Sequence, residues 1–164
     1  MVLVYLGVCC LNRPFDDQSQ ERIRLESEAV LLILERCQGE VWQLLGSDAV
    51  DYEVSRIPDR EQEGKVMQLA LVAKSKQPIT DSAEARAKEL ESLGFMALDA
   101  LHLACAEAGD ADVLLTTDDK MVSTAKKHHG VLRVRVENPI LWLTEVVTNG
   151  AIKNDTDTDS RERP

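Results

Sequence analysis

The sequence has no apolar run long enough to cross a bilayer. Its longest, Ala29 to Leu34, falls far short of the roughly 20 residues that a spanning helix needs. The opening Met-Val-Leu-Val-Tyr-Leu has no basic flank and soon gives way to polar residues. It reads as a strand and not as a signal peptide, so a cytoplasmic protein without membrane attachment is expected. No C-x-x-C pair occurs among Cys9, Cys10, Cys37 and Cys105, which argues against a structural zinc site. The adjacent Cys9 and Cys10 are poorly placed to bond to each other, and four reduced, mostly buried thiols are expected. No glycine-rich phosphate loop is present. The stretch Asp155-Thr156-Asp157-Thr158-Asp159 starts like a calcium loop, but Ser160 stands where glycine is needed and the chain ends before the closing glutamate. Positive charge is scarce: 19 Lys and Arg against 29 Asp and Glu give a net charge of −10 and a pI near 4.8. That balance opposes a general nucleic-acid binder, which needs clustered basic residues for phosphate. It leaves open an enzyme that gathers carboxylates around divalent cations, and it suits a basic partner protein.

What is present fits one domain. The 164 residues suffice for a substantial core without staples. Residues 2–6 are a continuous apolar run, as expected for a strand buried on both faces of a parallel sheet. Ile23, Ser27, Val30, Leu31 and Leu34 recur at helical spacing up to about Cys37, with Asp17 and Gln20 resembling a capping box ahead of them. Residues 48–54 read as a second strand. Pro58 opens a helix carrying Val66, Leu69, Ala70 and Ala73, which Pro78 ends. Asp81 and Glu84 cap a short helix ending near Gly94, and another runs from about Met96 to Ala108, closed by Gly109. Residues 113–117 form a third buried strand, followed by a helix to Gly130. Residues 131–136 alternate apolar and basic like a strand near a sheet edge, and Asn138-Pro139 opens a last helix through Val147. Strands alternating with helices predict an α/β domain over 1–148 with a mainly parallel sheet. Residues 149–164 are polar and are expected to be a disordered tail dispensable for folding.

In such a sheet ligands bind at the carboxyl ends of the strands. Asp118 directly follows the strand 113–117, and Glu53 lies near the end of the strand before it. Asp99 sits on an otherwise apolar helix, Ala97-Leu98-Asp99-Ala100-Leu101-His102-Leu103-Ala104. These acids could converge on one point and hold Mg²⁺ or Mn²⁺, which want oxygen ligands. Ions held there would activate water and stabilise charge on a phosphodiester. Each acid also has a plainer reading. Asp118 suits a helix N-cap, unless Asp119 fills the cap and frees it. Glu53 could be an exposed strand residue, and Asp99 an early-helix acid favoured by the dipole. His102 shares a helix face with Asp99 and reads as a packed or hydrogen-bonded histidine. His128 and His129 read as surface residues by a helix terminus.

The segment Leu98-Asp99-Ala100-Leu101-His102-Leu103-Ala104, followed by Val113-Leu114-Leu115-Thr116-Thr117-Asp118-Asp119-Lys120, resembles the signature of PIN-domain ribonucleases. More closely, the chain resembles the VapC-like toxins of bacterial and archaeal toxin–antitoxin pairs. Tyr5-Leu6, Cys10-Leu11-Asn12-Arg13-Pro14-Phe15 and Tyr52-Glu53-Val54 extend the likeness over residues 2 to 147. The resemblance implies a three-layer α/β/α sandwich, Mg²⁺ or Mn²⁺ as cofactor, RNA as substrate, an antitoxin as partner and a homodimer. It assigns Glu53, Asp99 and Asp118 as metal-binding, catalytic positions. Asp119 is an extra ligand or orienting group, and Thr116 or Thr117 either bonds a ligand carboxylate or simply suits a strand. Arg13, Lys120 and the pair Arg133/Arg135 are candidates for RNA phosphate.

One position departs from the pattern. The family places an aspartate at the end of the first strand, where this chain has Gly7. A glycine there either permits a bend or close backbone approach, or marks an enzyme that has lost a ligand. The second reading is preferred, since nothing else near Gly7 asks for glycine. Two functions follow: a metal-dependent endoribonuclease fold weakened at Gly7, or a non-catalytic binding module acting through a protein partner such as an antitoxin.

Overall fold

The computed structural model describes the backbone of residues 1–161 and the side chains of residues 1–150. Five parallel strands, β1 (Leu3–Leu6), β2 (Gln43–Ser47), β3 (Ser75–Gln77), β4 (Val113–Leu115) and β5 (Arg135–Glu137), form one sheet in the order β3-β2-β1-β4-β5. Eight helices connect and cover them: α1 (Val8–Asn12), α2 (Glu21–Gln38), α3 (Asp48–Ser55), α4 (Arg60–Ala70), α5 (Asp81–Glu91), α6 (Ala97–Ala108), α7 (Asp119–Lys127) and α8 (Pro139–Arg161). A 3₁₀ turn over Arg13–Phe15 follows α1. The architecture is the expected α/β/α sandwich. Among the described residues no helix is long and apolar enough to cross a membrane.

The apolar run at the N-terminus occupies the centre of the sheet, with Val4, Tyr5 and Leu6 all buried. The chain moves outward from β1 to β3, then crosses back over β1 to β4. The order therefore reverses between β1 and β4, which opens a crevice beyond their carboxyl ends. α5 and α6 pack as a pair, with α6 lying on β2, β3 and β4, while α2 and α8 pack on each other.

The largest departure from expectation lies at residues 43–55. The strand is Gln43–Ser47, and residues 48–54 are helical. Ser47 ends the strand and caps the helix, its Oγ accepting from Val50 N at 3.0 Å. Asp48 and Asp51 then sit in the first turn, where the helix dipole favours them. Ala49, Val50 and Val54 are buried at helical spacing. Gly46 obscured the strand in the sequence. A side chain there would be tight, because an added Cβ would stand 3.2 Å from Ala73 Cβ and 3.3 Å from Ser75 O. β3, Ser-Lys-Gln, is a short polar edge strand with no hydrophobic signal.

Smaller corrections concern caps and ends. Asp17 does not cap α2; Gln20 occupies the N-cap without a side-chain bond, and Asp17 Oδ1 accepts from Ser19 N and Oγ instead. Thr80, not Asp81, caps α5 through Ala83 N. Asp59 rather than Pro58 starts α4. Strand β4 stops at Leu115, α7 stops at Lys127 and β5 begins only at Arg135. Helix α8 continues past Val147 to Arg161. The side chains of most of the expected tail, 149–164, lie outside the described residues.

Candidate active site

Beyond the carboxyl ends of β1 and β4 lies a pocket of about 110 Å³ lined by Gly7, Val8, Cys9, Glu53, Asp99, His102, Leu114, Thr116, Asp118 and Met121. Four segments supply its polar groups. β1 ends at Gly7, the N-cap residue of α1. β4 runs through Thr116 into Asp118, the N-cap of α7. α6 presents Asp99 in its first turn and His102 one turn later. α3 presents Glu53, which therefore arrives from a helix and not from a strand end.

Asp118 performs the capping role that the plainer reading assigned it: its Oδ1 accepts from Lys120 N at 2.9 Å and Met121 N at 3.3 Å. That bonding uses one oxygen and leaves the carboxylate on the pocket wall. Thr116 Oγ1 accepts from Asp118 N at 3.1 Å, so it fixes the turn that carries the acid rather than bonding the carboxylate itself. Asp119 neither caps α7 nor lines the pocket. Its two oxygens bind Arg22 Nη1 at 2.8 Å and Nη2 at 2.6 Å, which holds its carboxyl below the usual range. The expectation that Asp119 might cap the helix and free Asp118 is thus reversed.

Asp99 is the most perturbed acid. Burial first, and then the charge of Asp118, push its carboxyl up to about 6, with Cys9 and Glu53 adding to the rise and His102 opposing it. Among the described residues no Lys or Arg pairs with Glu53, Asp99 or Asp118; their one ionic neighbour is His102, whose Nε2 stands 3.4 Å from Glu53 Oε1.

Two groups in the pocket had escaped a functional reading of the sequence. Cys9 Sγ is 3.4 Å from Thr116 Oγ1 and accepts from Thr117 N at 3.4 Å. Its thiol is lowered to about 5, chiefly by hydrogen bonding with Cys10, against the opposing effect of burial. The second is a buried polar chain. Tyr5 Oη contacts Ser47 Oγ at 2.7 Å and His102 Nδ1 at 2.6 Å. The available signal was a tyrosine inside a fully apolar strand, since a buried phenol requires a partner.

The basic candidates divide. Lys120 borders the acidic corner beside Asp99 and Asp118, and among the described residues it forms no ion pair. Arg13 is occupied internally, bonding Glu26 Oε1 at 3.1 Å and Asp16 Oδ2 at 2.8 Å. Arg135 pairs with Glu145 at 2.6 Å and lies opposite Val113, at the amino end of β4. Arg133 precedes it, so this pair stands at the wrong end of the sheet for the pocket.

Gly7 adopts φ −62° and ψ 152°, which any residue can adopt. The reading that a bend requires glycine therefore fails. The close backbone approach that glycine permits is present, since an added Cβ would lie 3.2 Å from Leu115 O and 3.4 Å from Cys9 Sγ, and a side chain there needs Leu115 O to give by a few tenths of an ångström.

Do these residues suit a divalent cation? The donors are of the right kind, being carboxylate oxygens on one small pocket, with Asp118 close enough to raise the Asp99 carboxyl. Mg²⁺ is commonly held by one or two carboxylates with waters completing its shell. Among the described residues, however, no group of three His, Cys, Asp or Glu side chains is arranged to hold a metal ion. The donors fit in chemistry, and Gly7 on the same wall supplies no side-chain donor.

A family model described as PIN domain matches residues 2–127. No curated protein sequence matches the chain. Two crystal structures share the fold: FitAcB from Neisseria gonorrhoeae, with 18% identity and a TM-score of 0.53 over 83% of this chain and 97% of that one, and VapBC2 from Rickettsia felis bound to a DNA fragment from their promoter, with 18% identity and a TM-score of 0.51 over 84% and 98%.

Proposed function

The chain belongs to the PIN domain family, and on that premise we propose that it is a divalent-metal-dependent endoribonuclease of the VapC-like toxin type, weakened by glycine at position 7. The observation that carries this reading is the pocket beyond β1 and β4, where Glu53, Asp99 and Asp118 meet without any neutralising Lys or Arg among the described residues. Carboxylates concentrated in this way, one of them raised to about 6, form a site that gains stability from a cation.

In this proposal Glu53, Asp99 and Asp118, which line one pocket, hold Mg²⁺ or Mn²⁺. When bound, the cation would supply charge stabilisation and an activated water for phosphodiester hydrolysis. The chain's own groups do the rest. Asp118 is kept in place by the cap it forms and by Thr116. Lys120 stands at the rim, positioned for an RNA phosphate. Asp119, bound to Arg22, supports the start of α7 and takes no part in ligation.

The partner in this reading is a cognate antitoxin that inserts a basic side chain among the acids. An arginine could pair with a carboxylate there and compete with the metal. The likeness to VapBC2 and the net charge of −10 support this assignment. A homodimer and a cytoplasmic location complete the proposal.

The test is RNA cleavage with Mg²⁺ or Mn²⁺, by the chain as it stands and by a double variant, Gly7→Asp with Asp99→Asn. Weak metal-dependent cleavage by the first and none by the second is expected. Cleavage that survives EDTA or the loss of Asp99 would contradict the proposal.

A further inference from the structure

His102 is almost wholly buried, and its Nε2 has no hydrogen-bond partner among the described residues. The atom faces the acidic pocket, 3.4 Å from Glu53 Oε1. A buried ring nitrogen without a partner is costly, and an apolar residue could fill the same space without that cost. The other nitrogen, Nδ1, is firmly bound, 2.6 Å from Tyr5 Oη. Tyr5 Oη in turn meets Ser47 Oγ at 2.7 Å. The tyrosine ring also meets the imidazole edge to face, with centroids 5.7 Å apart.

The direction of this chain follows from two independent arguments. Ser47 Oγ already accepts from Val50 N, so its own proton is best given to Tyr5 Oη. Tyr5 then donates to His102 Nδ1, and its burial keeps the phenol protonated for that purpose. With Nδ1 an acceptor, the ring proton belongs on Nε2. The second argument starts from the pocket. A bare Nε2 would set a lone pair 3.4 Å from Glu53 Oε1, whereas Nε2–H sets a partial positive charge there, an electrostatic contact outside hydrogen-bond geometry. Both arguments select the same tautomer.

We infer that His102 is a positioning residue: the relay Ser47–Tyr5–His102 fixes the proton on Nε2, which aims the carboxylate of Glu53 into the site. This rests on the proposed metal-dependent reading for its purpose, though not for its geometry. The relay begins at the Ser47 cap that starts α3, the helix carrying Glu53, so one set of bonds fixes both the backbone and the side chain of that acid. His102 also shares a helical face with Asp99. Groups that orient ligands in this way typically matter about 10-fold to 100-fold for metal affinity.

The experiment has two arms. In the first, long-range ¹H–¹⁵N NMR of the labelled full chain, without metal, reads the His102 tautomer. Protonated Nε2 in the parent and a shift toward the other tautomer in Tyr5→Phe are expected. Protonated Nδ1 in the parent would overturn the inference. In the second arm, Mn²⁺ affinity is measured by electron paramagnetic resonance for the parent, His102→Leu and His102→Gln, each checked for folding by circular dichroism. Leucine, which has no donor, is expected to weaken binding about 10-fold, and glutamine to recover most of the loss. Equal affinity for the parent and a folded leucine variant would also overturn it. If the parent binds no Mn²⁺, the metal-dependent reading fails, and the tautomer arm alone decides the relay.

Discussion

Two carboxylate clusters, one around the buried Glu26 and one lining the half-open pocket, lie on this fold, and the protein treats them in opposite ways. Glu26 on α2 is fully buried, yet its oxygens accept from Arg13 Nε at 3.1 Å and Asn138 Nδ2 at 2.7 Å, with Arg22 Nε at 3.5 Å. That cluster is matched charge for charge and ties the start of the chain to α2 and the start of α8. The pocket around Asp99 has the same residue types and none of the matching. Matched acids build structure. Acids left unmatched, in a crevice where the strand order reverses, cost stability and are candidates for binding a ligand.

The sharpest way to break the comparison is to remove the matched acid. Glu26→Ala removes one of the two carboxylates that hold Arg13 and leaves the buried Asn138 Nδ2 without its acceptor. It should destabilise the fold by about 3 kcal/mol in chemical denaturation. A loss below about 1 kcal/mol would show that the cluster is not a structural tie.

Removing the unmatched acid should do the reverse. Asp99 titrates near 6 in the folded chain, against about 3.9 when unfolded. Its charge is therefore penalised by folding, and the parent should lose stability as pH rises from about 4 to about 6. Asp99→Asn lacks that titration. The two should be equally stable near pH 4, and the variant more stable by about 1 kcal/mol above pH 6, after allowance for partial exposure. A variant less stable than the parent near neutral pH would contradict the account. Mn²⁺ should close the gap by binding the native parent.

The smallest effect concerns reactivity rather than stability. Cys9 is lowered to about 5, whereas burial raises Cys37 and Cys105 to about 11, and hydrogen bonding with Cys9 followed by burial raises the Cys10 thiol well above its usual value. Iodoacetamide near neutral pH should alkylate Cys9 first and the others slowly, as read by peptide mass mapping. Uniform labelling would mean that the pocket does not hold Cys9 as a thiolate.

The architecture was legible wherever burial left an apolar pattern. The run at residues 2–6, the helix around Asp99 and the strand expected over 113–117 all stand where the apolar pattern put them, the last ending two residues early at Leu115. The failures share a cause, which is that polar residues took their structure from their neighbours. Ser47 turned a strand into a helix within one residue, moving Glu53 from a strand end onto α3 without removing it from the pocket. β3 is an edge strand of polar residues, whose Lys76 forms an ion pair with Asp51 of α3. Asp119 could not be told from Asp118 in the sequence, because only the position of Arg22 in space separates them. Arg13 looked available for phosphate because its partner Glu26 is remote from it in pattern, though adjacent in the fold. The relay through Tyr5 and His102 joins residues far apart in the chain, which no local motif could announce.

Position 7 is where the account is most exposed. Its backbone accepts any residue, and the space for a Cβ is tight but open to a small shift. An aspartate there would add an oxygen ligand to the pocket and a favourable cap for α1. The deciding measurement is metal-dependent RNA cleavage by Gly7→Asp and by the parent at matched folding and purity. Misplacement of catalytic groups by an ångström can cost about 10²-fold in rate, so the account predicts a gain of about that size together with tighter Mn²⁺ binding. Equal cleavage and equal Mn²⁺ affinity in the two proteins would contradict it.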